Sequence, residues 1–318
     1  MSVSEPESEM TISTNTEFAN LARKREFDID WVNVIGITFY HGVALLALVP
    51  YFFTWTGLIL AIVGNFVFGT IGINVYYHRF LTHKGFQCPK WLETSMAVLA
   101  ICCFQETPAR WVAVHRAHHE HSDEEPDPHT PVRGFLWAHV GWLLVRPLRA
   151  SRLELYRRYA KDVLRDRFCK KLENPRIYLG IIFAHWLLFF GAGAGIGLLA
   201  GAGGGEAFRF GASLLVWGVF ARTVFVWHTT WSVNSVTHIW GYRNYETGEN
   251  SRNNILIGYL TNGEGWHNNH HADPRSVRHG HRWWEFDLTY LTIRLLQRVG
   301  LAWRVSEPMV RPTATLES

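Results

Sequence analysis

The sequence predicts an all-α membrane protein, in which four transmembrane helices carry a helical cap on the cytosolic side. Two observations predict this fold class. Long stretches of the 318-residue chain contain no charged residue, and lysine and arginine gather beside one set of their ends. Because roughly 20 consecutive apolar residues cross a bilayer core, these stretches favour membrane spans over the core of a water-soluble protein.

The uncharged stretches define the four spans. Residues 31–77 contain no Asp, Glu, Lys or Arg, and Pro50 divides them into spans at about 31–50 and 55–77. Residues 177–205 are also uncharged and predict a third span at about 177–200. The fourth span, at about 210–233, is interrupted only by Arg222. A charge facing lipid is costly, so Arg222 is expected to face the protein interior.

Basic residues predict the orientation of the chain. One set of span ends is flanked by Arg23, Lys24, Arg25, Arg79, Lys84, Arg176 and Arg243, whereas the other has only Arg209. Lysine and arginine are enriched in cytoplasmic loops, so both termini and a cap of residues 78–176 and 234–305 are expected in the cytoplasm. Residues 1–30 and 306–318 are predicted to be polar tails, and the first of them lacks the features of a signal peptide.

Histidines cluster at the predicted cytoplasmic span ends. His78 and His83 form HRFLTH after span two, and His238 follows Asn234 by four residues after span four. Two further clusters have the pattern H-x2-H-H, and they contain His115, His118 and His119 in HRAHH, and His267, His270 and His271 in HNNHH. Residues three and four apart share one face of a helix, and neutral imidazole is the commonest metal ligand. The clusters therefore predict metal binding.

The number of candidate ligands indicates two ions. A structural zinc needs four ligands and a hydrolytic zinc needs three and a water, whereas the clusters contain nine of the 17 histidines of the chain. The clusters contain no cysteine or carboxylate, which disfavours an iron–sulfur cluster and a magnesium or calcium site. Imidazole ligands with open positions suit iron and oxygen chemistry. The predicted fold class is therefore an all-α membrane protein with four transmembrane helices and a cytosolic helical cap holding a di-metal site.

Carboxylates near the clusters are candidate partners of the ligands, because a metal-bound histidine usually donates its other N–H to a carboxylate or carbonyl. Asp127, in DEEPDPH, and Asp273, in HHADP, are expected to have this role. Glu264 precedes His267 by three residues, as in the Glu-x-x-His motif of soluble di-iron proteins. The motif has no second copy near another cluster and is bracketed by glycines, so we interpret the match as accidental.

The histidine boxes, together with TWSVNSVTH and GEGWHNNHH, resemble those of membrane-bound fatty acid desaturases, and most closely the stearoyl-CoA and acyl-lipid Δ9 types. The resemblance covers residues 31–305, which are predicted to form a single domain. It implies an O2-dependent enzyme that introduces a cis double bond, with Δ9 as the expected position, into a saturated acyl chain. It also implies two iron ions and a separate electron donor, a ferredoxin or a cytochrome b5-type protein with its reductase.

The resemblance further implies roles for individual residues. One iron would be bound by His78, His83, His115, His118 and His270. The other would be bound by His119, His238, His267 and His271, with a water held by Asn234. The acyl chain would bend beside the metals in contact with Gln105, Trp111, Thr230 and Trp231. Ile62 and Phe66, in the apolar part of span two, are expected to affect the chain-length preference.

The acyl carrier is predicted from departures from the animal enzymes. Ala113 and Val114 stand where those enzymes have an Arg-Asp pair that helps to hold CoA, and Glu106 is poorly suited to phosphate. A lipid-linked acyl donor is therefore favoured over acyl-CoA. The sequence has no His-Pro-Gly-Gly haem segment, which agrees with a separate electron donor.

Two other functions stay open at this stage. A hydroxylase, or a desaturase of other regiospecificity, would share the same boxes. A membrane hydrolase or receptor with His-bound zinc would need about three ligands of this kind. The four cysteines form no C-x-x-C pair, which disfavours a zinc knuckle or a redox dithiol, and no motif indicates a nucleic-acid partner.

Overall fold

A computed structural model describes residues 27–148 and 151–310 of the chain. Within these ranges it contains four helices long and apolar enough to cross a membrane, which confirms the predicted architecture. They are span 1 (Trp31–Leu48), span 2 (Trp55–Thr82), span 3 (Pro175–Leu199) and span 4 (Gly204–His238). Spans 2 and 4 continue beyond their predicted ends at residues 77 and 233, and both extensions carry histidines. Most of the two predicted polar tails lies outside the described residues.

Polar caps begin three of the spans. The side chains of Asp30, Thr54 and Asn174 each accept a hydrogen bond from a backbone N–H in the first helical turn. Such caps satisfy amide groups that have no partner inside the helix. Each of these three spans therefore begins directly after a polar residue that caps its first turn.

Two spans depart from α-helical geometry. Span 2 is α-helical over Trp55–Gly64 and π-helical over Asn65–Thr82. Span 4 has a π-helical segment, Val216–Ala221, between the α-helices Gly204–Leu215 and Arg222–Ser235. Segments with i→i+5 hydrogen bonds are rare and often mark functional sites. The hydrophobic pattern did not predict them.

The surfaces of the spans agree with a bilayer environment. Spans 1 and 3 expose large apolar side chains, including Val32 and Leu187. Arg222 is buried, as predicted, with its guanidinium carbon 4.2 Å from the centre of the Phe68 ring. Spans 3 and 4 approach closely through small residues, since a Cβ added to Gly193 would lie 2.8 Å from the Cα of Gly211. Small residues let membrane helices pack backbone to backbone in this way.

The cap is built from short helices around the ends of spans 2 and 4. These are α1 Lys90–Ile101, α2 Pro108–His121, α3 Phe135–His139, α4 Arg152–Tyr159, α5 Lys161–Arg165, α6 Arg167–Leu172, α7 Ile255–Leu260, α8 His267–Ala272 and α9 Leu288–Arg298. Two three-residue strands, β1 Phe27–Ile29 and β2 Val145–Pro147, pair antiparallel and are a small addition to the all-α prediction. A hydrophobic core that includes the fully buried Tyr76, Tyr77 and Val112 joins span 2 to α2. This core fixes span 2 and α2, which both carry histidine boxes.

Candidate metal centre

The nine predicted ligands lie in two adjacent groups. Site A contains His78, His83, His115, His119 and His270, and site B contains His118, His238, His267 and His271. Within each group, one nitrogen of every ring lies within 4.8 Å of the others. The structure thus brings together side chains that are separated by up to 193 residues along the chain.

The division of the second box corrects the assignment that the family resemblance implied. His119 belongs to site A and His118 to site B, the reverse of the expectation. The reason is helical geometry, because residues i and i+4 differ in direction by about 40° whereas neighbours differ by about 100°. His115 and His119 therefore point to the same site, and their Nε2 atoms are 3.1 Å apart.

The third box follows the same rule. His267 and His271, four residues apart on α8, both belong to site B, and their Nε2 atoms are 3.1 Å apart. His270, between them, points to site A. Each H-x2-H-H box therefore supplies two ligands to one site and one to the other.

The first box depends on the π-helical part of span 2. On an α-helix, His78 and His83 would point about 140° apart. Here the backbone N–H of His83 donates to the carbonyl of His78 at 3.2 Å, an i→i+5 bond that places His83 over His78. The H-x4-H spacing can therefore serve a single site.

Carboxylates fix the orientation of key ligands in both sites. The Nδ1 atom of His78 is 2.6 Å from Glu264, and that of His118 is 2.9 Å from Asp127. His238 Nδ1 lies 3.1 Å from Asp123. Because a carboxylate only accepts hydrogen bonds, these Nδ1 atoms carry the proton. The lone pairs are then on Nε2 and point into the sites.

The nitrogen positions fit bound cations. His270 Nε2 lies 3.0 Å from His78 Nε2 and 2.9 Å from His119 Nε2, and in site B His267 Nε2 lies 3.0 Å from His238 Nε2. Imidazoles that bind one ion at about 2.0–2.1 Å have neighbouring nitrogens about 3 Å apart. Nitrogen lone pairs that face each other at this distance repel unless a cation lies between them. The donor set therefore fits two metal ions.

Protonation of the rings does not compete with metal binding near neutral pH. Burial lowers the pKa of six ring systems well below the ordinary value, and neighbouring imidazoles lower it further. These six are His83, His115, His119, His267, His270 and His271. The rings are neutral, which is the state that binds a metal.

Glu264 contacts site A, whereas His267, the other residue of the Glu-x-x-His match, belongs to site B, so the two do not act together as in the soluble di-iron motif. The carboxylate of Glu264 accepts from Arg79 Nε at 3.1 Å and Nη2 at 2.8 Å as well as from His78. His279 Nδ1 is 3.2 Å away. Burial alone would raise the pKa of Glu264, but Arg79 and the adjacent imidazoles lower it well below its usual range. A charged carboxylate thus fixes the orientation of His78 by a hydrogen bond and is not itself one of the five residues of site A.

Site B has a corresponding set of carboxylates, of which the sequence predicted one. Asp127 contacts His118 as expected. Asp123 lies 3.1 Å from His238 Nδ1, and Glu249 lies 3.6 Å from His271 Nδ1. Asp123 and Glu249 were missed. The prediction for Asp273 is wrong, because its carboxylate accepts from the backbone N–H of Met309 at 2.8 Å.

The predicted substrate residues divide into two groups. Trp111, Thr230 and Asn234 line a cleft that reaches the sites between spans 2 and 4. Gln105 contacts this group by donating to Thr230 Oγ1 at 3.1 Å. Trp231 does not line the cleft and packs in an aromatic cluster that includes Trp227.

Trp111 links the cleft to the histidines. Its ring stacks on His115 with centroids 5.0 Å apart and an interplanar angle of 23°. The cleft beside Trp111 also borders His78 and His267, one ligand from each site. A substrate in the cleft would therefore lie against both groups of histidines.

Comparison with known proteins identifies the family. Residues 52–304 match the model of the family described as "Fatty acid desaturase". The chain belongs to the fatty acid desaturase family. The prediction made from the histidine boxes is confirmed, and the protein is a membrane-bound fatty acyl desaturase, an oxidoreductase.

Relatives of this desaturase act on different acyl carriers. It is 40% identical to the sn-1 stearoyl-lipid 9-desaturase of Anabaena variabilis, over 93% of this chain and 97% of the relative. It is also 40% identical to the sn-2 palmitoyl-lipid 9-desaturase of Nostoc sp. (strain 36), over 86% and 90%. An icosanoyl-CoA 5-desaturase of Limnanthes douglasii is 36% identical over 88% and 73%.

Proposed function

We propose that this desaturase introduces a cis double bond at the Δ9 position of a saturated acyl chain linked to a membrane lipid. Two iron ions would be bound by the nine histidines of sites A and B, with Asn234 acting through a water. O2 would be the co-substrate, and a separate ferredoxin or cytochrome b5-type donor with its reductase would supply electrons. The observation that carries the proposal is the pair of imidazole groups with inward-pointing lone pairs beside one cleft.

The overall reaction balances with these components. Two hydrogens leave adjacent carbons of the acyl chain, and O2 takes up these hydrogens, two electrons and two protons to give two waters. When bound, the ions would supply the activation of O2, which protein side chains cannot provide. The side chains of the cleft hold one carbon–carbon bond against the sites, which is necessary because neighbouring methylene groups have nearly the same reactivity.

Buried residues support a lipid-linked substrate. Ala113 is fully buried and Val114 is nearly so, so neither position offers a contact to a CoA head group. The two relatives with 40% identity described above are both named as acyl-lipid 9-desaturases. These observations favour a lipid carrier and Δ9 chemistry for this chain.

We also propose that the cap, the sites and both termini face the cytoplasm. The basic residues Lys84 and Arg176 lie beside the cap ends of spans 2 and 3. Their position agrees with the preference of lysine and arginine for cytoplasmic loops. Cysteine labelling of the cap from each side of sealed vesicles would test this orientation.

Expression in a host that lacks its own desaturase tests the reaction. The expected products are Δ9-unsaturated chains in intact lipids, with the bond located by mass spectrometry, and no hydroxylated chains. His118→Ala and His270→Ala should each abolish product without preventing membrane insertion. Hydroxylated products, or one zinc per chain in the active protein instead of two irons, would overturn the proposal.

A further inference from the structure

One short segment of the cap carries a larger net positive charge than the whole chain. Residues 151–176 contain α4, α5 and α6 and reach the start of span 3. They include nine Lys or Arg and four Asp or Glu, which gives a net charge of +5, whereas the whole chain has +4. All nine basic residues are exposed. We call residues 151–176 the basic segment.

The acidic residues of the basic segment are occupied by other parts of the cap. Asp162 pairs with Lys84 and Arg116, and Asp166 pairs with Lys90. The other two acidic residues accept hydrogen bonds from backbone N–H groups at the starts of α2 and α4. Within the described ranges, only one of the nine basic residues of the segment forms an ion pair. The exposed positive charge is therefore available to a partner.

Ion pairs attach the basic segment to residues beside site A. Lys84 and Glu120 each directly follow a ligand of site A in the chain. Lys84 Nζ lies 2.5 Å from Asp162 of α5, and the carboxylate of Glu120 pairs with Arg158 of α4. The basic segment therefore lies along one edge of site A.

Site A reaches the protein surface at this edge. His83 and His119, the ligands next to these ion pairs, are partly exposed, whereas His78 and His270 are buried. Electron transfer between two proteins is fast only when their redox groups come close to each other. A carrier that contacts α4 and α5 would lie beside two ligands of site A that reach the surface.

The charge of the segment indicates what kind of carrier fits it. The proposed reaction takes two electrons for each double bond, so a carrier of one electron must bind and dissociate twice in each turnover. Opposite charges on the two proteins accelerate such encounters, by about 10–1000-fold. Exposed positive charge beside a redox site therefore fits a carrier with a negatively charged surface.

We propose that the basic segment is the docking surface for a small acidic electron-carrier protein. Each carrier molecule is oxidised by one electron, and two of them supply the two electrons that the overall reaction takes up with O2 and two protons. The inference rests on the proposed function, and it adds the place at which the separate electron donor binds.

An anionic membrane surface is the other class of partner that basic residues attract. It would bind the end of the basic segment next to span 3, where Lys170 and Lys171 lie within five residues of Pro175. The ion pairs beside site A are on α4 and α5, together with the exposed Arg157 and Lys161. The position of these pairs favours an electron carrier.

The test measures how tightly a plant-type [2Fe–2S] ferredoxin, an acidic carrier of one electron, binds the full-length protein in phosphatidylcholine nanodiscs. These lipids have no net charge, so the affinity depends on the protein. At an ionic strength of about 0.15 M, where screening acts over about 8 Å, Arg157→Glu with Lys161→Glu should raise the Kd about tenfold. Lys170→Glu with Lys171→Glu changes the net charge equally and should raise the Kd less than about threefold, because distant charges are screened.

A second readout separates docking from damage to the enzyme. A single turnover, started by reduction with dithionite and then addition of O2, needs no carrier. Its product yield should equal that of the wild type in both double variants. In steady-state turnover, Arg157→Glu with Lys161→Glu should raise the KM for ferredoxin about tenfold and leave kcat nearly unchanged.

Two results would overturn the inference. One is an unchanged Kd in Arg157→Glu with Lys161→Glu. The other is an equal or larger rise in Lys170→Glu with Lys171→Glu, which would indicate a general or membrane-directed effect of the charge. If the first double variant loses its single turnover, Arg157→Gln with Lys161→Gln decides, and a smaller rise of the Kd in the same direction is expected.

The wild-type protein provides the remaining controls. If it does not bind ferredoxin, the soluble domain of cytochrome b5 replaces ferredoxin in the same assay, and failure to bind either carrier would also overturn the inference. Absence of single-turnover product from the wild type would instead contradict the proposed function, whereas the Kd values would still test the docking surface.

Discussion

Replacing Glu264 by glutamine is expected to weaken metal binding in site A and to leave site B occupied. The substitution keeps the size of the side chain but removes its charge and one acceptor oxygen. The carboxylate holds His78 at 2.6 Å and accepts two hydrogen bonds from Arg79, at 2.8 and 3.1 Å. Arg79 would keep Asp287, whose carboxylate lies 3.0 Å away.

The magnitude follows from these contacts. Hydrogen bonds to charged groups contribute about 1.5–3 kcal/mol each, and breaking a buried ion pair costs about 3–5 kcal/mol. Since Arg79 retains one of its two carboxylates, a loss of about 3 kcal/mol in stability is expected, toward the lower end of that range. Loss of the partner of a metal-bound histidine reduces metal affinity about 10–100-fold.

The assay is metal content after dialysis against increasing concentrations of a chelator. Glu264→Gln should lose its first ion at about 10–100-fold less chelator than the wild type, and the second ion should leave at the wild-type concentration. Asp127→Asn, which removes the corresponding charge beside His118 in site B, is the matched variant. Wild-type retention of both ions in Glu264→Gln would refute the role assigned to this carboxylate.

Three more predictions follow from the geometry of the described residues. His119→Ala should weaken metal binding in site A, as Glu264→Gln does, whereas His118→Ala should weaken it in site B. In a chelator titration, the loss of metal should therefore be additive when Glu264→Gln is combined with His118→Ala, and not when it is combined with His119→Ala. The melting temperature of the metal-free protein should fall between pH 7.5 and 5.5, because burial lowers the pKa of His279 to about 4 and of His129 to about 3. In the unfolded chain these histidines take up protons below about pH 6.5, so the stability that comes from burying them neutral is complete above that pH and is lost as the pH falls. His279→Gln should make the melting temperature depend less steeply on pH. A melting temperature that does not change with pH would contradict this prediction. Gly72→Ala should destabilise the protein by about 1–3 kcal/mol, because the added Cβ would lie 2.8 Å from the backbone nitrogen of Ala100. Gly180→Ala is the control in the same thermal assay and should not lower the melting temperature, because a Cβ at Gly180 would have no atom within 4 Å.

Most of the membrane architecture was predictable from the sequence, because it depends on local composition. Uncharged stretches locate the spans within a few residues, and Arg222 could be placed in the interior from its cost in lipid alone. The convergence of the boxes was also predictable, since all lie at the same side of the spans. The division of His118 and His119 between the sites could have been derived from the angle between successive helical residues.

Other features depend on contacts that the sequence does not display. Nothing in the residues of span 2 distinguishes a π-helix from an α-helix, although the spacing of His78 and His83 agrees only with the former. Glu264 reaches His78 across 186 positions of the chain, so a search for local motifs could not find this contact. Asp273 follows a box directly but turns away to the backbone of Met309, whereas Asp123 approaches His238 from a distant loop.

The interleaving of the two boxes has a mechanical consequence. Helix α8 has only six residues, yet it supplies ligands on two of its faces. A rotation of this short segment by one residue would carry every one of its imidazoles away from its ion, in both halves of the centre at once. The geometries of site A and site B are therefore coupled through α8, because any movement of this helix that changes the ligands of one site also changes those of the other.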